Sequence, residues 1–138
     1  MTYGEQVGSL RRTLHRAIVL HVAERSDRPI TQLMALRVIA SSEVQTQAEL
    51  AERLLIDAPA ASRMVAGLEK EGLIKRTVGE DRRCVCLRVT AAAKKEVAII
   101  DEGLQWLERE VRAHLTQKEF DTSKALLKKL QVSMASGK

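Results

Sequence analysis

Between Thr46 and Thr90 the spacing of apolar residues changes twice, and this constrains the fold more than any other feature of the chain. Ala48, Leu50, Ala51, Leu54 and Leu55 recur at helical spacing. Thr46 and Glu49 form a T-x-x-E capping box at the start of that helix, where the first amides lack partners. Ile56 and Asp57 break it. Asp57 is placed to cap a second helix, with Pro59 in a first turn where a missing N–H costs little. Ala61, Met64, Val65 and Leu68 give this second helix its inward face, and Gly72 stands where a left-handed residue ends a helix. The period then falls to two. Two strands follow, joined by the charged turn Gly79, Glu80, Asp81 and Arg82, with Val85, Leu87 and Val89 alternating inward.

Helix, turn, helix, hairpin is the order of a winged helix-turn-helix. The expected fold is therefore mainly α with a small β-hairpin. Pro59, Ala60, Ser62, Arg63 and Gly67 are left on or near the outer face of the second helix. Most are small, so the backbone can approach the floor of a groove. Arg63 can then reach a guanine edge or a phosphate.

The motif S-R-M-V-x-x-L-E-K-E-G-L-I-K-R at 62–76, then D-R-R at 81–83 and L-R-V-T at 87–90, resembles the MarR family of bacterial transcription regulators. The resemblance runs from about Leu10 to Leu130, and the order and spacing of the fragments carry it. It implies that the helix from Asp57 to Glu71 enters a major groove. It also implies a wing in which Asp81 stabilises the turn while Arg82 and Arg83 reach the adjacent minor groove. Base contacts would come from Ser62 and Arg63, and phosphate contacts from Lys75, Arg76 and Arg88. One departure is visible: where the family often has T-x-x-G, Thr90 is followed by Ala91, Ala92 and Ala93. Alanine favours helix, so the next helix is expected to start firmly there.

The flanks read as helices around this head. In 1–25, Val7, Leu10, Leu14, Ala17, Ile18 and Val22 form a stripe. Pro29 ends the following turn, Thr31 is placed to cap a short helix over 32–40, and Ser41 to Gln45 is a polar connector. Val97, Ile100, Leu104, Leu107, Val111 and Leu115 approach a heptad seam. Thr116 and Glu119 open a last helix carrying Phe120, Leu126, Leu127, Leu130 and Met134, before a frayed tail from Ala135. The expected organisation is a single winged-helix domain over 1–138, with a DNA-binding head at 30–90 and dimerisation helices at 1–25 and 91–135. The outer helices hold more apolar surface than one head needs, as a homodimer would require.

Composition narrows the class. Apolar residues make up 45% of the 138, but there is one Phe, one Tyr and one Trp, which favours Leu/Ala/Val helix packing over a β-sandwich. The net charge of +5 is compatible with nucleic acid without establishing it. From Asp57 to Thr90 seven basic residues stand against five acidic ones, an excess of two, so motif order carries the DNA argument. No long apolar run or signal peptide is present, which points to the cytoplasm and to no membrane partner.

No phosphate-loop, dinucleotide, zinc-protease or nucleophile-elbow motif occurs, and His15, His21 and His114 lack metal-ligand spacing. The chain reads as a non-enzyme without cofactor or metal, and His15 and His21 as solvent or packing residues. Cys84 and Cys86 share the outer face of the second strand with Arg88 and are candidate oxidant-sensing thiols. The expected function is a homodimeric repressor binding a pseudo-palindromic double-stranded operator. It would be released or modulated by a small effector, in a cleft between head and dimer helices, or by oxidation. The alternative is a winged-helix protein-interaction adaptor that does not touch DNA.

Overall fold

The computed structural model describes residues 1–78 and 85–137. The element order is α1 (Tyr3–Ala23), α2 (Ile30–Ala40), α3 (Gln47–Leu54), α4 (Ala58–Lys70), β1 (Ile74–Val78), β2 (Val85–Val89), a 3₁₀ turn (Ala91–Ala93), α5 (Lys94–Ala113) and α6 (Gln117–Ser136). The strands pair antiparallel, with Ile74 opposite Val89 and Val78 opposite Val85. The chain divides into two compact units, Met1–Gly103 and Leu104–Lys138, with the boundary inside α5.

In the first unit α2 is the centre. Leu33, Ala35, Leu36, Val38 and Ile39 are all buried, so the helix is apolar on more than one face and must be surrounded. Leu50 of α3, Val65 and Leu68 of α4, Ile74 of β1 and Leu87 of β2 join its residues in one core. Thr31 is not the cap of this helix: α2 begins at Ile30 after Pro29, with no side-chain cap bond. Pro29 sets the entry instead, its carbonyl accepting from the amides of Gln32 and Leu33. The connector after α2 is not uniformly polar at work. Val44 is buried, and the Gln45 carbonyl accepts a 2.7 Å bond from the Leu87 amide, which ties the wing to the head.

α1 meets α5 where Gly103 has no side chain. A Cβ there would lie 2.8 Å from Val22 Cγ2. Beside that crossing His21 Nε2 lies 2.8 Å from Glu102 Oε2, and Arg37 of α2 donates to Asp101 at 3.0 Å. His21 is thus held in an ion-pair geometry rather than merely packed or solvated. Only Ile18 and Val22 of the α1 stripe are buried, while Val7 and Leu10 are exposed. Thr2 and Glu5 form a full capping box before α1.

Local caps explain most helix starts, but the box expected at Thr46 is incomplete. Thr46 accepts from the Glu49 amide, but its hydroxyl donates to Glu49 Oε1, so the carboxylate does not close the box on the Thr46 amide. The φ of Thr46 is −118°, against −69° and −70° at the two full boxes of Thr2 and Thr116. Leu55 also departs from its expected inward place. It ends α3 in the left-handed region, with φ 57°, and is 77% exposed; Ala48 is exposed too. A left-handed non-glycine costs about 1–2 kcal/mol, and a glycine returns about 0.5–1 of that as lost chain entropy. Leu55→Gly is therefore expected to raise stability by about 0.5–1 kcal/mol in thermal unfolding. A lowered melting temperature would contradict this account of the turn.

Ala91, Ala92 and Ala93 form a 3₁₀ turn, not the first turn of α5. Thr90 does not cap them. Its hydroxyl donates to the Gly72 carbonyl at 2.6 Å and its amide to Leu73 O at 2.9 Å, so Thr90 clamps the base of the hairpin. The chain must leave that clamp before α-helical pairing can begin.

In the second unit the end of α5 and α6 make a helical pair. Phe120 is buried, with the Arg112 guanidinium 4.0 Å from its ring centroid. Thr116 and Glu119 form the expected full box. α6 continues through Ser136, further than the expected frayed tail. Leu126, Leu127, Leu130 and Met134 are exposed on it.

Candidate nucleic-acid interface

Asp57 Oδ1 accepts from the Ala60 amide at 2.7 Å and fixes the start of α4. Ala61, Val65 and Leu68 are buried, and Met64 packs against the same core. That spacing turns Pro59, Ser62, Arg63 and Gly67 to solvent, with Ala60 half-buried at the edge. Ala66 and Lys70 lie on the same exposed face, three and seven residues after Arg63. Lys70 is not among the residues that the sequence pattern singles out, although its seven-residue spacing from Arg63 places it on the same helix face. A Cβ added at Gly67 would meet nothing within 4 Å, so internal packing does not require glycine there. Gly72 at φ 78° ends the helix as its position implied.

The strand register divides the wing. Lys75 stands directly opposite Arg88, and Arg76 opposite Leu87. Cross-strand partners share a face, so Lys75 and Arg88 project together on one side and Arg76 lies on the other. Arg76 donates to Glu69 Oε1 of α4 at 3.3 Å. Arg63, Lys70, Lys75 and Arg88 have no ion-pair partner among the described residues. The two carboxylates at the end of α4 are both engaged: Glu69 by Arg76, and Glu71 by Arg28 at 2.7 Å. Among the described residues, the exposed face of α4 and the outer face of the wing therefore carry positive charge that no carboxylate pairs. Two cations opposed across a hairpin repel, and an external anion relieves that repulsion.

Leu87 is buried, but Val85 is exposed and Val89 only half-buried. The inward alternation thus holds at the base of the wing and fails toward its tip, where Val78 and Val85 pair beyond the core. Cys86 is half-buried opposite Thr77, on the face of Lys75 and Arg88. The turn at Gly79 and Glu80, together with Asp81, Arg82, Arg83 and Cys84, lies outside the described residues.

A cavity of about 310 Å³ opens at the α1–α2 corner, lined by Val19, Val22, Ala23, Arg28, Pro29 and Ile30 among others. Among the described residues no three His, Cys, Asp or Glu side chains gather closely enough for a metal ion, and no helix is long and apolar enough to cross a membrane.

Two helices joined by a tight turn, followed by a hairpin pinned to their C-terminal end, make the first unit a winged helix-turn-helix. Comparison with known proteins agrees. The profile of the MarR family matches residues 29–85. A putative transcriptional regulatory protein for the hcr operon of Thauera aromatica is 33% identical over 96 residues. The match covers 69% of this chain and 58% of that relative's length. A solved structure of the Multiple Antibiotic Resistance Repressor, MarR, is 25% identical, with a TM-score of 0.74 over 94% of this chain and 95% of that one. The transcriptional regulator PA3341, at 21% identity, shares the fold with a TM-score of 0.84 over 97% and 98% of the two chains. The chain belongs to the MarR family.

Proposed function

We propose that this chain is a sequence-specific repressor of transcription that binds double-stranded DNA as a homodimer in the cytoplasm. The observation that carries the reading is the face of α4 and the wing. It bears Arg63, Lys70, Lys75 and Arg88 without a described carboxylate partner, while the nearby carboxylates are occupied by other arginines. Gly67 adds to it. A glycine inside a helix costs about 0.5–1 kcal/mol relative to alanine, and no internal contact at this position explains that cost. Close approach to a groove floor would.

Ser62 and Arg63 would contact bases, helped by the small Pro59 and Ala60. Lys75 and Arg88 would contact phosphates. Arg76, held by Glu69, would contribute chiefly by orienting the wing. Asp81, Arg82 and Arg83 keep the turn-stabilising and minor-groove roles that family resemblance gives them. The exposed apolar residues of α6 and of the first half of α1 are what a second copy would cover. The name of one solved relative, a resistance repressor, favours repression; the other is named only as a regulatory protein for an operon. A small effector, for which the α1–α2 corner offers room, or oxidation at Cys84 and Cys86 would modulate binding.

Arg63→Ala is expected to cost about 1–3 kcal/mol on a duplex selected by the wild type from random sequence. It should cost less on unselected duplex, narrowing the gap between them. The wild-type complex should contain two chains per selected duplex by light scattering, and its affinity should fall steeply with salt. Salt-insensitive capture of a protein partner with no DNA selected would favour the adaptor instead.

A further inference from the structure

We propose that Arg28 is a positioning residue for DNA recognition. Its ion pair with Glu71 would fix the C-terminal end of α4 against the α1–α2 corner and so set the angle at which α4 presents Arg63. The proposal rests on the DNA-binding reading above. Arg28 stands 43 residues from Glu71 in sequence, yet its Nη1 donates to Glu71 Oε2 at 2.7 Å and to Gln32 Oε1 at 3.2 Å. Its side chain is only 22% exposed. Its own backbone is restrained as well, because its amide donates to Ser26 Oγ at 3.1 Å and Pro29 follows.

Glu71 is the last rigid point of α4. It is the C-cap residue, its amide donating to Gly67 O at 3.1 Å, and the chain turns at left-handed Gly72 immediately after it. The inner face of α4 is held by Ala61, Val65 and Leu68, and such apolar contacts are not directional. A short charge-assisted bond at the end of the helix is directional. Arg63 lies eight residues from Glu71, about 12 Å along the axis. A tilt of about 5° there moves Arg63 by about 1 Å, more than the roughly 0.5 Å range over which a hydrogen bond to a base edge holds.

Arg28 could also act only by masking the charge of Glu71, and the two roles predict opposite results for Glu71→Gln. That variant removes the repulsion of phosphate but also weakens the tie. The probe is a 30-base-pair duplex selected by the wild type from a random pool, compared with the unselected pool. As a positioning pair, Arg28→Gln and Glu71→Gln should each lose about five- to tenfold on the selected duplex. Both should change less than about twofold on the pool, with little change in melting temperature, and the exchange Arg28→Glu with Glu71→Arg should recover most of the loss. Arg28→Gln binding the selected duplex like wild type would overturn the proposal. So would Glu71→Gln binding both DNAs more tightly, or equal losses on both with a lowered melting temperature. A wild type that selects no duplex at all would remove the DNA-binding reading itself and this proposal with it.

Discussion

Leu36→Ala is expected to lower the unfolding free energy by about 2–5 kcal/mol, the cost of a large buried aliphatic side chain replaced by a methyl group. Leu36 is fully buried on α2, in the cluster shared with Leu50, Leu68, Ile74 and Leu87 from four other elements. Because several helices and both strands converge there, relaxation of one element cannot fill the space. The residual cavity adds to the lost transfer energy. A domain of this kind is stable by about 5–15 kcal/mol, so one methyl-for-isobutyl exchange removes a large share. Urea titration at one fixed protein concentration measures it, since any self-association makes apparent stability depend on concentration. A loss under about 0.5 kcal/mol would mean that α2 is not the centre of the core.

Gly103→Ala sets two effects of opposite sign against each other. Alanine in place of glycine inside a helix contributes up to about 1 kcal/mol in favour of folding. The new Cβ, however, would lie 2.8 Å from Val22 Cγ2 and 3.6 Å from Ile18 Cγ1. Val22 is β-branched on a helix, so it has essentially one rotamer, and both side chains are buried. Neither can swing aside, so α1 and α5 must separate. Overpacking of this sort costs about 1–3 kcal/mol, and the net expectation is a loss of up to about 2. Gly103→Leu should lose more than Gly103→Ala in the same thermal unfolding experiment. Val22→Ala combined with Gly103→Ala should recover part of the loss, because the clash is with the valine methyl. A higher melting temperature for Gly103→Ala would show that propensity prevails and that the helices part easily.

The sequence by itself determined what is settled within a few residues of chain. Asp57 caps α4 because its carboxylate need only reach an amide three residues on. Ala61, Val65 and Leu68 share one face because helical period puts them there, and that period also turned Ser62 and Arg63 outward. Gly72 ends the helix because the left-handed region favours glycine. The family motif added the expected roles of that helix and wing on DNA. Tertiary structure decided what depends on how elements meet. Nothing local to Arg76 or Lys75 says that one is held by Glu69 while the other projects with Arg88; the strand register and the placement of α4 divide them. Nothing near Arg28 names Glu71, and nothing near Gly103 names Val22. Ala91 to Ala93 favour α-helix in isolation, but Thr90 is already committed to Gly72 and Leu73. Caps and periods draw on free energies available within one or two turns. Ion pairs and close crossings exist only once packing has brought distant segments within a few ångströms.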